Sequence, residues 1–218
     1  PMLLSGQNPE HVGRANQAMS KASSPLRERI TRFDINWNII AWPGLQWAKL
    51  VFPQMSDADA QIALAEAIFN ASRVNTSNPN EAWAVHNKNL RARTEWLNTK
   101  NFAALHFYGE GTDLTVGLAD GHEWMGGAST ARNGVTCNPN IPSEEVFTTP
   151  HALKVNGYVR STKPLSHQGT LIDDISVTFK DGVITKASAS KGEDVFLKLL
   201  DTDEGARRLG EVALVPHG

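Results

Sequence analysis

The sequence has a single cysteine, no long apolar run and no excess of either charge. Cys137 cannot form a disulfide within the chain, and a lone cysteine is typical of a protein from the reducing cytoplasm. No apolar run approaches the length of a membrane span. The formal net charge is −2, whereas proteins that bind nucleic acid or membrane surfaces usually carry a basic excess. These absences agree with a reducing cytosol and give no support for binding to nucleic acid or to membranes.

Several motifs of known enzyme classes are also missing. The sequence holds no glycine-rich phosphate loop, no G-x-S-x-G nucleophile elbow and no H-E-x-x-H zinc motif. Cys137 lacks a cysteine-protease signature, so we interpret it as a bystander. The 7 histidines are scattered, and no two of them stand four residues apart. The histidines alone therefore predict no metal site.

A proline-rich stretch, residues 138–150, is the most distinctive feature that is present. It reads Asn-Pro-Asn-Ile-Pro-Ser-Glu-Glu-Val-Phe-Thr-Thr-Pro, and its prolines exclude a regular helix or a central strand. Neighbouring side chains of an extended segment point to opposite sides. At most one of Glu144 and Glu145 should therefore enter a site, and the other should face solvent or a basic partner. For an isolated pair of acids, a solvated surface loop is the commoner situation.

The first hundred residues have mostly helical patterns. Residues 35–42 are an exception, because they predict a strand whose apolar tail is typical of a strand covered on both faces. Ser56 and Asp59 predict the start of a helix. We assign its apolar face to four residues at helical spacing: Ala58, Ile62, Ala65 and Phe69.

A second helix is predicted to start at Asn78, the N-cap, with Pro79 at its first position. Its apolar stripe consists of Trp83, Leu90 and Leu97. His86 lies on the same side, and we interpret it as a packed structural histidine rather than a ligand.

After Lys100 the pattern changes to short strands separated by glycines. Residues 175–179 alternate apolar and hydroxyl side chains, which predicts a half-buried antiparallel strand, and Asp181-Gly182 predicts a tight hairpin after it. Ser190 and Glu193 predict the start of a helix, and residues 202–209 a last one. We therefore expect an α/β to α+β fold. Residues 1–100 would be the later part of an N-terminal α/β domain, and residues 101–218 a mainly antiparallel β-rich region with helices.

Glu211 is the other carboxylate of interest, because it follows a glycine and begins the strand-like run 211–215. Such a residue is often solvated. Together with Glu145 on the proline-rich stretch, however, it resembles part of a carboxylate-rich hydrolytic site. Hard oxygen ligands suit divalent ions such as Co²⁺, Zn²⁺, Mg²⁺ or Mn²⁺.

Two motifs resemble the M29 family of metal-dependent aminopeptidases: residues 140–148, Asn-Ile-Pro-Ser-Glu-Glu-Val-Phe-Thr, and residues 210–215, Gly-Glu-Val-Ala-Leu-Val. Other segments fit the same family in order along the chain, among them residues 111–118 and 203–206. The resemblance implies two metal ligands in this chain, Glu145 and the catalytic Glu211, which would bridge the ions. Glu144 remains the alternative to Glu145, and Ser143 replaces the usual threonine.

The resemblance also implies the cofactors, substrates and assembly of the protein. It implies two divalent ions (Co²⁺, Zn²⁺ or Mg²⁺), peptide substrates with a free N-terminus, a cytoplasmic location and a homodimer. Residues 101–218 would then be the first part of the catalytic domain. The chain starts at Pro1 without Met and ends just after a strand-like run, so we expect a piece of a longer protein. The family's remaining ligands would lie beyond Gly218, and this piece would be metal-poor and inactive alone.

Two other functions remain open. A non-catalytic β-rich binding or oligomerisation module would use the two adjacent glutamates as a surface contact. A hydrolase without metal would need a Ser/His/Asp or Cys/His set that is assembled only in space. Neither would require Glu145 or Glu211 for metal content.

Overall fold

The computed structural model describes residues 7–167 and 170–216 and divides the chain into two compact units. The first unit is formed by residues 1–91 and 126–144, and the second by residues 92–125 and 145–218. Both helices and strands occur, and the largest sheet is antiparallel, which confirms the α/β to α+β fold class. No helix of the described part is long and apolar enough to cross a membrane. The domain boundary near residue 100 stays a prediction.

The first unit is mainly helical. Its elements are α1 (Pro9–Thr31), β1 (Ile39–Ile40), α2 (Leu45–Val51), α3 (Asp57–Ala71), the start of α4 (Pro79–Lys100), β4 (Ser129–Thr130), β5 (Thr136–Cys137) and β6 (Asn140–Ile141). As predicted, Ser56 caps α3, because its hydroxyl oxygen accepts the Asp59 N–H at 3.2 Å. Asn78 likewise accepts the Glu81 N–H at 3.2 Å and starts α4.

The core between α2 and α3 corrects the predicted face of α3. Ala60 and Leu64 are buried with Ala48 of α2, whereas Ile62 and Phe69 are exposed. This helix is so rich in apolar residues that two stripes satisfy helical spacing, and packing against α2 selects the other one.

The predicted strand 35–42 is also corrected. Only Ile39–Ile40 is a strand, paired in parallel with β6, and both side chains are about 60% exposed (61% and 62%). Because both side chains of this short strand are exposed, the expected burial on both faces is wrong.

The second unit is built around an antiparallel sheet. Its strands are β2 (Ala104–Gly109), β3 (Thr112–Leu118), β7 (Val146–Thr148), β8 (Pro150–Arg160), β9 (Leu165–His167), β10 (Thr170–Ile172), β11 (Ser176–Lys180), β12 (Val183–Ser188) and β13 (Val212–Leu214), and its helix is α5 (Glu193–Leu200). Five strands form the order β12-β11-β8-β3-β2. Leu114 and Val116 of β3 are buried, whereas Asp113 and Thr115, which alternate with them along the strand, are exposed, so one face is core and the other is open.

The predicted hairpin between β11 and β12 is confirmed. Asp181 and Gly182 both have positive φ, 50° and 81°, which suits the turn that joins twisted strands. A Cβ on Gly182 would lie 1.8 Å from the carbonyl oxygen of Ala152, so this position requires glycine.

The helix predicted to start near Ser190 is present as α5, but its predicted cap is wrong, and so is the predicted last helix at residues 202–209. The N-cap of α5 is Gly192, because the Ser190 hydroxyl instead contacts the Asp173 carbonyl and the Asp174 carboxylate. Residues 202–209 form turns rather than a helix. The Asp203 carboxylate accepts the Gly205 N–H at 2.8 Å, and such a local side-chain bond competes with helical pairing.

Candidate functional site

Both glutamates predicted to bind metal stand one residue before the strands of a two-stranded ribbon, β7 and β13. The strands are antiparallel, with Phe147 opposite Ala213. Glu145 stands two residues before Phe147, and Glu211 stands two residues before Ala213. Because side chains alternate along extended backbone, both glutamates lie on the ribbon face that carries this central pair. Their backbone levels are four residues apart, roughly 13 Å along the ribbon at the usual rise per residue.

The opposite face of the ribbon is anchored in the core of the second unit. Val146, Thr148 and Val212 are buried there. The Thr148 hydroxyl donates a 2.7 Å hydrogen bond to the Glu123 carbonyl, so the one polar group among them is satisfied. Phe147 also exchanges two 2.9 Å backbone hydrogen bonds with Met125. Burial of one face therefore fixes which face presents the carboxylates.

An apolar groove lies on that anchored side. It has a volume of about 550 Å³, and Val146 and Leu214 line it together with Arg93 and Trp96 of α4. Neither Glu145 nor Glu211 lines it, so the groove and the carboxylates belong to different faces of the ribbon.

The Glu145 carboxylate acts electrostatically on the Glu211 carboxylate. Glu145 is half-buried, and Glu211 is exposed to solvent. The pKa of Glu211 is nevertheless raised, first by partial desolvation of its carboxylate and second by the negative charge of Glu145. A cation placed near both groups would relieve this repulsion.

Glu144 belongs to the first unit and has a different environment. Arg73 donates to both of its carboxylate oxygens, at 2.7 and 3.0 Å. The His86 Nε2 atom lies 3.6 Å from one of the same oxygens. Glu144 is thus the member of the pair that faces a basic partner.

His86 behaves as the packed structural residue that its sequence position predicts. Its Nε2 lies 2.6 Å from the Ser143 carbonyl oxygen, which can only accept, so Nε2 carries the hydrogen. The Trp83 and His86 rings pack edge to face, with centroids 5.5 Å apart.

Sequence reasoning missed Arg73, the residue that holds Glu144. It stands just after α3 with φ 60°, where glycine is the usual residue. An arginine in this left-handed conformation costs roughly 1 kcal/mol relative to glycine. The sequence shows only that Arg73 follows the last apolar residues of α3. It could not predict the partner, because Glu144 lies 71 residues away in the sequence.

The ribbon supplies only part of a metal-ligand set. The donor chemistry fits, because two carboxylates on one face suit hard or borderline divalent ions. Within residues 7–167 and 170–216, however, no group of three or more His, Cys, Asp or Glu side chains could hold a metal ion. Cys137 lies in β5 of the first unit.

Comparisons with known proteins identify the family. The family model described as "Thermophilic metalloprotease (M29)" matches residues 1–218. The chain is 52% identical to "Aminopeptidase T" of Thermus aquaticus over 99% of its own length and 53% of that protein. It is 45% identical to "Aminopeptidase 2" of Geobacillus stearothermophilus over 100% of its length and 52% of that protein.

A solved structure agrees with these sequence matches. The structure titled "Wild-type AmpT from Thermus thermophilus" superposes with a TM-score of 0.90 at 50% identity, covering 98% of this chain and 52% of that one. The chain thus spans about half the length of the curated relatives it matches. The sequence and fold matches extend over nearly all of its residues, and the chain therefore belongs to the M29 family of metalloproteases.

Proposed function

We propose that these residues form part of a metal-dependent aminopeptidase, an exopeptidase that removes N-terminal residues from peptides. Membership of a metalloprotease family and relatives named aminopeptidases support the reaction class. The observation that carries the proposal to particular residues is the β7–β13 register, which places Glu145 and Glu211 on one face of the ribbon.

Glu145 and Glu211 are the proposed ligands of two divalent ions, for which Co²⁺, Zn²⁺ and Mg²⁺ are the candidates. Glu145 is preferred to Glu144 because Arg73 occupies both oxygens of Glu144. The charge of Glu145, by contrast, acts on another carboxylate. Glu211 is the proposed bridging ligand.

Within this chain, the residues of the ribbon act by orienting the two carboxylates. The buried side chains of Val146, Thr148 and Val212 fix the ribbon face, so Glu145 and Glu211 meet a ligand from one side. The bound ions would supply polarisation of the scissile amide carbonyl and a lowered pKa of the attacking water.

Further ligands must come from outside the described residues, since protein metal sites of this type normally use at least three. We propose that this 218-residue piece is metal-poor and inactive by itself. Peptides with a free N-terminus as substrates, a homodimer and a cytoplasmic location complete the proposal.

The test uses the longest natural polypeptide that contains these residues. Glu211→Gln keeps the size of the side chain and removes its charge, and Glu145→Gln does the same. Glu204→Gln is the matched control, because Glu204 is exposed in a turn of the same unit. We expect about two Co²⁺ ions per chain and leucyl-anilide hydrolysis in the wild type and the control. Both glutamine variants should lose activity by more than about 100-fold and lose bound metal.

The alternative, a non-catalytic β-rich binding or oligomerisation module, predicts a different result. In that case neither glutamine substitution would change metal content, and the wild type would hydrolyse no peptide. Near-normal turnover and metal content in Glu211→Gln would show that the assignment of Glu211 is wrong.

A further inference from the structure

Helix α3 ends in a way that leaves an unusual residue at its terminus. The Val74 N–H donates to the Phe69 carbonyl at 2.8 Å, and the Arg73 N–H donates to the Asn70 carbonyl at 3.1 Å. This pattern is the Schellman ending, whose left-handed position normally holds glycine. Here Arg73 occupies that position with φ 60°. Since the backbone would favour glycine, the arginine side chain must be retained for its contacts.

The contacts of Arg73 converge on Glu144. The guanidinium binds both carboxylate oxygens of Glu144, and its Cζ lies 5.5 Å from the centroid of Trp83. The Trp83 indole N–H in turn donates to the Ser72 carbonyl at 2.9 Å. Three-quarters of the Arg73 side chain is removed from solvent, its relative exposure being 25%. A planar, stacked, two-point contact of this kind fixes both the position and the direction of the Glu144 carboxylate.

A second contact fixes the residue before Glu144. The His86 Nε2–H donates to the Ser143 carbonyl. The Ser143 backbone and the Glu144 carboxylate are therefore both bound by residues of the first unit. Ser143 and Glu144 immediately precede Glu145, the proposed metal ligand. Because Glu145 is bonded directly to Glu144, fixing the Glu144 side chain and the Ser143 carbonyl restricts the backbone from which the Glu145 side chain projects.

We propose that Arg73 is a positioning residue for Glu145: it clamps Glu144, and the clamped Glu144 directs the next carboxylate toward the metal-binding face. This inference rests on the proposed function for its metal-binding consequence. Outer-shell contacts that orient a ligand typically change metal affinity or activity by 10- to 100-fold when they are removed.

Three variants separate positioning from general structure. Arg73→Gly removes the side chain and suits the left-handed backbone, so the end of α3 should be preserved. Arg73→Lys keeps the charge and loses the two-point contact. Arg132→Met is the control, because it removes another arginine–carboxylate contact of the first unit, 3.2 Å from Asp34.

The first readout is hydrogen–deuterium exchange of residues 143–147 in the longest natural polypeptide that contains them. We expect exchange about tenfold faster in Arg73→Gly, an intermediate rate in Arg73→Lys and a wild-type rate in the control. The melting temperature of Arg73→Gly should stay within about 4 °C of wild type. Unchanged exchange in Arg73→Gly, or faster exchange throughout the first unit, would overturn the proposal.

The second readout is Co²⁺ affinity, followed by visible absorption of the ion in the longest natural polypeptide. Arg73→Gly should weaken Co²⁺ binding about 10- to 100-fold and Arg73→Lys by less, while Arg132→Met should match wild type. Faster exchange with unchanged Co²⁺ affinity would mean that Arg73 is only structural and would overturn the proposal.

Glu145→Gln in the same titration distinguishes the two hypotheses. If this variant binds Co²⁺ as wild type does, or if the wild type binds none, the proposed metal role of Glu145 fails. The exchange result then still decides whether Arg73 holds the 143–147 segment.

Discussion

Glu144 and Glu145 are neighbours of the same residue type whose surroundings have opposite charge. On the side of the first unit, Arg73 and His86 surround Glu144, and the arginine binds both of its oxygens. On the side of the second unit, the charge of Glu145 acts on another carboxylate, Glu211, and raises the pKa of Glu211. Glu144 thus has a cation beside it, whereas the charge of Glu145 acts on another carboxylate.

This difference shows how a pair of acids can be divided between structure and chemistry. An ion pair with good geometry satisfies a half-buried carboxylate and leaves it little capacity for another ligand. A carboxyl whose pKa is raised by partial burial and by a second carboxylate, as at Glu211, is a feature of functional sites, although structural networks show it too. The charge environment, rather than the residue type, separates Glu144 from Glu145.

The largest expected effect comes from exchanging the two glutamates for glutamine one at a time. Glu145→Gln should weaken Co²⁺ binding by more than about 100-fold, because it removes a ligand charge. Glu144→Gln should weaken it by about tenfold, because it removes only an orienting ion pair. Calorimetric titration of the longest natural polypeptide measures both.

Equal losses of Co²⁺ affinity in the two variants would contradict the assignment of different roles to Glu144 and Glu145. A larger loss in Glu144→Gln would exchange their roles and make Glu144 the ligand. Glu204→Gln again serves as the control, and its Co²⁺ affinity should equal that of wild type.

The local signals in the sequence predicted local structure well. Ser56, Asn78 and Asp181-Gly182 each specify a cap or a turn through atoms within three residues, and all three predictions are confirmed. Such features depend on short-range hydrogen bonds and allowed φ values, which neighbouring residues largely determine.

Predictions that depended on distant partners succeeded less often. The apolar face of α3 was wrong because packing against α2, rather than helical spacing, selects between its two stripes. The Ser190 cap failed because Asp173 and Asp174, seventeen and sixteen residues away in the sequence, bind that hydroxyl instead. The contact between Arg73 and Glu144 left no local trace except an arginine in a position that favours glycine. The roles of Glu145 and Glu211 stay predictions.

A medium effect should follow from loosening the ribbon that carries Glu145 and Glu211. Thr148→Val keeps the shape of the buried side chain and removes its hydrogen bond to the Glu123 carbonyl. We expect the free energy of unfolding to fall by about 1–2 kcal/mol, because the carbonyl loses a partner away from water. Urea unfolding of the 218-residue chain measures this change.

Thr115→Val is the matched control for that experiment. Thr115 is exposed on the open face of β3 in the same unit, so the same substitution should change stability by less than about 0.5 kcal/mol. Equal effects at the two positions would show that the Thr148 hydroxyl does not anchor the ribbon.

The smallest expected effect uses an exposed arginine–carboxylate pair to test whether burial matters to the Arg73 clamp. Arg160 binds Asp174 at 2.7 Å, and both side chains are about half exposed. The pKa of Asp174 is lowered, first by the hydrogen bond from Arg160, then by that from Ser190, and then by the positive charge of Arg160. Because the carboxyl is more acidic in the folded chain than in the unfolded one, its stabilisation is fully present above the ordinary aspartate pKa and is lost as pH falls through the lower folded value.

Asp174→Asn therefore should cost little stability at pH 7, and that cost should shrink below about pH 4, where the wild-type carboxylate begins to be protonated. Asparagine tolerates the left-handed backbone at this position, where φ is 50°, so the substitution adds no strain of its own. Urea unfolding at pH 7 and pH 3 checks the difference between wild type and variant. A cost as large as that of Glu144→Gln under the same conditions would mean that the exposed pair is as strong as the half-buried one. In that case the difference between Glu144 and Glu145 would come from where Arg73 lies and not from the partial burial of Arg73.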